Sequence, residues 1–295
     1  LGAVLVAVGL TLGLVGGTPA GADEGDAVVA CADRAEGGDG TVSVVSVSGL
    51  LDPVVARLIE RSITAAEDAG RSWVVFQVNS SGTAVGDDRL AELVERVRTA
   101  SVAVGVWVGP SGSRASGGTA QLAAAACAVG VSPGSRLGDT GRPVVAEDRL
   151  NAPFVAALDR LEDGTVDADT ALELGLATGE APVIGAFLID LDGVPTERVT
   201  GDDGRPGRAV RDDAVTFSKL GLGDQLLHTV SSAAVAYLLL LTGLALIVFE
   251  LYTAGVGVAG LVGAGCTVLA CYGLAVLPAR GWAVGLLVVT IVAYA

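Results

Sequence analysis

A serine in a glycine-rich loop is the residue that could act as a nucleophile. Ser116 lies in the loop 110–118 (PSGSRASGG), between an apolar run at Val102–Val108 and a small-residue run that predicts a helix over Ala115–Ala126. A hydroxyl at a helix N-terminus is favoured by the helix dipole, and neighbouring backbone N–H groups could receive an oxyanion. The alternative is a turn in which the serine only caps the helix, and composition alone favours that alternative.

A second loop could share the same crevice. Residues 79–83 (NSSGT), which include Gly82, follow the continuous apolar run Trp73–Val78, and that run predicts a buried parallel strand. Ligands of α/β sheets bind at the carboxyl ends of the strands. We therefore expect the loops at Gly82 and Ser116 to line one crevice.

Proton acceptance limits what Ser116 can do. A serine nucleophile needs a neutral base within hydrogen-bond reach, and arginine stays protonated in proteins. The chain has one lysine, Lys219, and one histidine, His228, and both lie just before the apolar C-terminal third. Either could reach Ser116 only if the segment that carries it folded back.

Composition narrows the classes of function. The net charge of −15 makes nucleic-acid binding unfavourable, because an acidic surface repels phosphates. No group of His, Cys or carboxylates has metal-ligand spacing, and we expect neither a metal nor a cofactor. Cys31 and Cys127 could form a disulfide outside the cytoplasm, although their spacing does not demand one, whereas Cys266 and Cys271 fall in an apolar run.

The order of elements predicts an exported α/β domain. Residues 1–22 are uncharged and end in a small-residue cleavage pattern, so we interpret them as a signal peptide whose start is missing; an uncleaved anchor is the alternative. Residues 23–195 then alternate buried-strand and amphipathic-helix patterns, which is typical of a mostly parallel sheet. Apolar spacing predicts helices at Pro53–Ala69 and Asp87–Thr99, whereas Val183–Leu191 is ambiguous.

The C-terminal third predicts transmembrane helices. Residues 196–231 are interpreted as a linker and juxtamembrane segment, with a hairpin as the alternative for residues 196–213, and residues 232–295 as membrane helices truncated at the C-terminus. Ala233–Leu251 and Ala254–Leu277 are each long enough to span a bilayer. The G-x-G-x-x-G at Gly255 lacks the strand and acidic residue of a dinucleotide site, so we interpret it as close helix packing. Glu250 is expected at the membrane interface.

The chain resembles the NfeD family, membrane proteins whose extracytoplasmic domain is similar to the ClpP protease. The resemblance rests on Gly109–Thr119 followed by Val131–Gly138, on 171–176 (ALELGL), and on the membrane signature within Phe217–Gly263. It implies a ClpP/crotonase-like fold with a mostly parallel sheet, followed by transmembrane helices. It also implies a Ser–Lys serine protease at the cell membrane, stomatin-like partners and a homo-oligomer.

Several residues depart from the family pattern. Ser116 matches the nucleophile only if one alanine is deleted, and the family's D-T-P-G-G loop is replaced by residues 79–83. The segment that should supply the lysine, about residues 144–161, has only Arg149 and Arg160 as cations. We therefore expect a catalytically degenerate member that binds or assembles membrane proteins. The alternative is an active endopeptidase that cleaves stomatin-like or other membrane proteins, with Ser116 as nucleophile and Gly82 and Gly117 near the oxyanion.

Overall fold

The computed structural model describes residues 31–200, 206–218, 222–253 and 257–277. The predicted signal peptide, Lys219 and the apolar segment after residue 277 lie outside these ranges. The strands are β1 (Val42–Leu51), β2 (Trp73–Thr83), β3 (Ala103–Val108), β4 (Arg114–Ser116), β5 (Ala128–Val131), β6 (Arg136–Gly138), β7 (Thr165–Asp167), β8 (Gly179–Glu180), β9 (Thr196–Thr200), β10 (Pro206–Val210) and β11 (Val215–Ser218).

Most of the described helices alternate with the strands along the chain, and the two longest come last. They are α1 (31–36), α2 (Pro53–Asp68), α3 (Asp87–Thr99), α4 (Gly118–Ala124), α5 (Ala152–Ala156), α6 (Leu158–Leu161), α7 (Ala168–Glu173), α8 (Ile184–Ile189), α9 (Leu222–Val230), α10 (Ala233–Thr253) and α11 (Val258–Val276). Two 3₁₀ turns cover Glu147–Arg149 and Asp212–Ala214.

The main sheet is mostly parallel, as predicted. Its order is β7-β6-β4-β2-β3-β5-β8, with β1 beside β2 and β11 beside β1, and within the described part of this sheet β6–β7 is the antiparallel pair. One face packs against α2, α3 and α4 through side chains such as Ile63, Leu93 and Leu122. The other face is covered by α1 and α8, where Trp73 and Phe187 are buried. Burial on both faces explains why the central strands are continuously apolar.

Two local predictions near the crevice are wrong. Residues 79–83 were expected to form a loop, but β2 continues through them because β1 pairs with it as far as Thr83. The helix expected over Ala115–Ala126 begins only at Gly118, and Arg114–Ser116 form a strand. Ala115 pairs with Ser80 and with Leu137, so tertiary pairing overrides the helical preference of the small residues.

The ambiguous C-terminal segments of the domain now have defined structures. Within Val183–Leu191, residues 184–189 are helical. For residues 196–213, the hairpin alternative is correct, since β9 and β10 pair antiparallel. The next strand, β11, pairs with β1 in the main sheet, so the predicted linker contributes a strand to the domain.

Cysteine pairing joins α1 to the sheet. Cys31 and Cys127 form a disulfide, with an S–S distance of 2.06 Å and a separation of 96 residues, whereas Cys266 and Cys271 are free. Cys127 immediately precedes β5, so the bond fixes α1 near that strand. The disulfide that the sequence permitted is therefore present.

The long helices form a hairpin whose surface is mostly exposed. α10 and α11 are long and apolar enough to cross a membrane, and little of either is buried in the protein. Their backbones approach closely at glycines: a Cβ at Gly243 would lie 2.8 Å from the carbonyl oxygen of Gly263. Glu250 Oε1 accepts the N–H of Gly257 at 2.6 Å, so this carboxylate caps α11. In the glycine motif, Gly257 and Gly260 therefore lie against the capping carboxylate, whereas the close approach of the two helices occurs outside the motif, at Gly243 and Gly263.

Candidate functional site

Ser116 lies at a strand-to-helix turn. It is the last residue of β4, Gly117 follows with a φ of 64°, and α4 begins at Gly118. β4 is held between β2 and β6, through the pairs Ser80–Ala115 and Ser116–Gly138. Only 5% of the Ser116 surface is exposed. The turn needs glycine because positive φ strains other residues.

The two segments predicted to line one crevice do meet. A Cβ at Gly117 would lie 2.6 Å from Thr83 Oγ1 and 3.4 Å from the Cα of Gly82. The hydroxyl of Thr83 also accepts the N–H of Gly118. Gly82 and Gly117 are therefore neighbours beside Ser116, although their roles near an oxyanion stay a prediction.

The first backbone donor after Ser116 is already occupied. The N–H of Gly117 donates to the carbonyl oxygen of Asp139 at 2.9 Å. Asp139 has a φ of 51°, which is uncommon for a residue with a side chain. Gln121 supports this loop: its Nε2 donates to the carbonyl of Thr140 at 2.9 Å, and its Oε1 accepts the N–H of Val144 at 3.0 Å. An oxyanion hole needs free donors, and in this conformation the Gly117 N–H is not free.

The candidate bases do not contact Ser116 in the described part of the chain. Lys219 lies outside it. The helix that carries His228 folds back onto the domain, as catalysis by His228 would require, but the ring binds elsewhere: Nδ1 lies 2.8 Å from Asp52 Oδ2. Arg149, in the segment where the resemblance implies a lysine, lies 3.1 Å from Glu95 Oε1. Among the described residues, no side-chain hydrogen bond joins Ser116 to a histidine or lysine.

The Asp52–His228 pair was missed from the sequence. Asp52 caps α2, because its Oδ1 accepts the N–H groups of Val54 at 2.9 Å and Val55 at 2.8 Å. Burial alone would raise the pKa of Asp52, but the hydrogen bond from His228 and those from the backbone outweigh it, so the pKa is lowered. The hydrogen bond with Asp52 raises the pKa of His228, although burial opposes this. Asp52-Pro53 predicts a helix start, but nothing local indicates a partner 176 residues away.

No metal cluster is found among the residues that the structure describes.

Two buried hydroxyls, those of Ser132 and Ser135, have no hydrogen-bond partner among the described residues. They belong to the turn after β5, which Ser111 joins through a hydrogen bond to the carbonyl of Pro133. This turn packs beside the loop that leads to Ser116.

The described structure is a mostly parallel α/β domain with a serine at a strand-to-helix turn, followed by two apolar helices. Comparison with protein families adds the particular relationship. Residues 234–295 match the NfeD integral membrane domain. The predicted resemblance to the NfeD family is confirmed for this C-terminal segment, and the chain is a membrane protein.

Solved structures that resemble the domain in fold include two proteases. The 1510-N membrane protease from Pyrococcus horikoshii, specific for a stomatin homolog, is 18% identical, with a TM-score of 0.48, covering 65% of this chain and 98% of its own. The ClpP protease catalytic domain from Plasmodium falciparum is 9% identical, with a TM-score of 0.37, covering 48% of this chain and 85% of its own. These likenesses concern the fold alone. No curated protein matches the chain.

Proposed function

We propose that this protein is an NfeD-like membrane protein whose ClpP-like domain is catalytically degenerate and acts in the binding or assembly of membrane proteins. The observation that carries the proposal is the surroundings of Ser116. Within the described residues its hydroxyl has no imidazole or amine partner, and the only imidazole of the chain binds Asp52. A serine hydroxyl without a base is a weak nucleophile.

The occupied amide of Gly117 supports the same proposal. A substrate oxyanion at this turn would have to displace the carbonyl of Asp139, which accepts at 2.9 Å. Loss of one oxyanion-hole donor costs about 3–4 kcal/mol of transition-state stabilisation. The missing base affects proton removal, and the occupied N–H of Gly117 affects charge stabilisation. Repair of one defect would therefore not correct the other.

The proposed location is the cell membrane, with two or more spans and the ClpP-like domain outside the cytoplasm. The disulfide between Cys31 and Cys127 supports a location of the domain outside the cytoplasm, because such bonds persist in oxidising compartments. The proposed partner is a stomatin-like membrane protein, as the family resemblance implies and as the specificity of 1510-N suggests. Self-association into a homo-oligomer belongs to the same proposal.

The second candidate function is an active serine endopeptidase that cleaves stomatin-like or other membrane proteins. One observation favours it: Ser116 ends a strand, the positive φ of Gly117 turns the chain, and Gly82 lies next to that turn. This backbone would suit a nucleophile if a base were supplied.

A fluorophosphonate probe separates the two candidates. The full chain in native membranes is treated with the probe, beside Ser116→Ala and the matched variant Ser113→Ala, which alters another buried serine of the same loop. The degenerate protein should show no labelling of Ser116 while a stomatin-like protein still co-purifies with it. Labelling that is lost in Ser116→Ala and kept in Ser113→Ala would establish the endopeptidase instead.

A further inference from the structure

The juxtamembrane helix α9 is attached to the ClpP-like domain through one buried carboxylate. Asp52 is fully buried and His228 is 17% exposed, and the ring Nδ1 lies 2.8 Å from Asp52 Oδ2. The other oxygen of the same carboxylate caps α2. Both oxygens of Asp52 are thus used, one by its own domain and one by the helix that leads to the membrane.

The imidazole lies in a slot that a glycine leaves open. His228 Nε2 is 2.8 Å from the position that a Cβ would take at Gly49, which has a φ of 80°. A hydrogen bond with the backbone of Ser48 also raises the pKa of His228. Any side chain at Gly49 would displace the ring, so the end of β1 is shaped to receive it.

The slot adjoins the strand ends beside Ser116. Directly after Gly49, Leu50 pairs with Gly82 and Leu51 pairs with Thr83. The side chain of Leu51 also packs against α4, since its Cδ2 lies 2.8 Å from the position of a Cβ at Gly118. Movement of the end of β1 would therefore be transmitted directly to the turn that carries Ser116.

The other end of α9 packs against the membrane hairpin. A Cβ at Gly273 of α11 would overlap the carbonyl oxygen of Val230. α10 begins at Ala233, and the N–H of Ala236 donates to the carbonyl of Ser232 at 2.9 Å. α9 is consequently a short connector with the site edge of the domain on one side and the hairpin on the other.

We propose that Asp52 and His228 form a pH-sensitive clamp, which holds α9 against the crevice edge while the imidazole is protonated and loosens it when the imidazole loses its proton. The clamp does not depend on whether Ser116 is catalytic. Through this clamp, protonation of His228 would affect both the position of the membrane hairpin and the shape of the crevice.

Few other charges face the clamp. Asp52 is the charged side chain, among the described residues, that acts on His228. The charged residue of α10 is Glu250, which caps α11, and neither α11 nor β1 contains an Asp, Glu, Lys or Arg. The helix α2 also packs against α9, but none of its charged residues contributes to the raised pKa of His228; they are Arg57, Glu60, Arg61, Glu67 and Asp68. The ring's titration is therefore governed mainly by its contact with Asp52.

The direction of the pH effect follows from the pKa changes. Docking raises the pKa of His228. The contact between His228 and Asp52 therefore stabilises the docked helix fully below the pKa of a free imidazole, and this stabilisation is lost as pH rises through the raised pKa. Docking lowers the pKa of Asp52, so the clamp is also lost when strong acid protonates this carboxyl. The clamp is closed between these limits.

Hydrogen exchange of the full chain in lipid nanodiscs tests the clamp. Exchange of α9 amides, corrected for the intrinsic effect of pH, is followed from about pH 5.5 to about pH 8.5, a range that spans histidine titration. We expect α9 to exchange at least about tenfold faster at the upper end, the effect of losing a hydrogen bond between charged groups. The midpoint should coincide with the titration of the chain's single imidazole, read from its NMR resonance.

Two variants make the result specific. His228→Gln keeps a hydrogen-bond donor but cannot titrate, so its α9 exchange should not change with pH. Thr229→Ala alters the exposed neighbour, whose hydroxyl bonds within α9 to the carbonyl of Gln225, and should behave as the wild type. Wild-type exchange that is flat across the titration, or an equal pH dependence in His228→Gln, would overturn the proposal.

Discussion

The carbonyl oxygen of Asp139 lies 2.9 Å from the amide nitrogen of Gly117, the residue that follows the candidate nucleophile. The carbonyl after β6 thus occupies a backbone N–H that an oxyanion at this turn would need. A strained residue, Asp139, supplies that carbonyl, and Gln121 braces the loop behind it. The turn at Ser116 is consequently a packed structural junction in this conformation.

The first prediction concerns the space at this junction. Gly117→Ala should destabilise the protein by more than about 2 kcal/mol, because the new methyl group would overlap Thr83 in addition to straining a positive φ. Gly112→Ala is the matched control: it also has a positive φ, but nothing lies within 4 Å of its Cβ position, so about 1 kcal/mol is expected. Urea unfolding of the full chain in detergent, followed by tryptophan fluorescence, measures both. Equal losses would contradict the close packing at Gly117.

The second prediction concerns the disulfide. Cys31→Ser with Cys127→Ser should lower the free energy of unfolding by about 2–5 kcal/mol, because the bond closes a long loop in the unfolded chain. The matched control replaces the free Cys266 and Cys271, where less than about 0.5 kcal/mol is expected. Thermal unfolding with and without a reductant measures the difference. A reductant that leaves wild-type stability unchanged would show that the bond does not form.

The third prediction concerns pH and the pair Glu67–Arg96. Arg96 Nη1 lies 2.9 Å from Glu67 Oε1, and this hydrogen bond is the main cause of the lowered pKa of Glu67. A lowered pKa stabilises the fold above the ordinary carboxyl pKa, and this contribution is lost as pH falls through the lowered value. Glu67→Gln should therefore cost about 1–2 kcal/mol at neutral pH and much less in acid.

Urea unfolding at several pH values tests this pair. Arg57→Ala, on the exposed side of the same helix, is the control and should change stability by less than about 0.5 kcal/mol at every pH. A pH-independent loss in Glu67→Gln would mean that its hydrogen bonds, and not its charge, matter.

The fourth prediction concerns the membrane hairpin. Gly243→Leu should separate α10 from α11, because its Cβ would lie 2.8 Å from the carbonyl of Gly263 and 2.9 Å from the amide nitrogen of Thr267. We expect a lower midpoint of thermal aggregation in detergent. Gly265→Leu, whose Cβ position has no neighbour within 4 Å, should leave the midpoint near that of the wild type. A similar decrease in both variants would argue against close packing at Gly243.

Periodicity was enough to predict the elements that the core defines. The apolar runs and helical spacings at α2, β2, α3 and β3 mark them because burial on both faces of a parallel sheet leaves a strong local pattern. β4 leaves no such pattern. Its three residues become a strand only through pairs with Ser80, which is 35 positions earlier, and with β6.

The site was predictable in its chain segments but not in its contacts. The sequence predicted that the segments with Gly82, Ser116 and Gly117 would line one crevice, because the carboxyl ends of parallel strands meet at one edge of a sheet. The carbonyl of Asp139 and the ring of His228 come from distant segments, and neither backbone carbonyls nor long-range ion pairs have a sequence signature. The lone histidine was therefore recognised as a candidate base, but not as a partner of Asp52.

The position of β11 at the edge of the sheet has a consequence for biosynthesis. β1 is the first of the described strands to be synthesised, yet its outer neighbour, Val215–Ser218, is the last of them. The nascent domain must keep one flank of β1 open until the ribosome has passed that point, shortly before the hydrophobic hairpin follows. Completion of the sheet and lateral entry into the bilayer are thereby closely timed events.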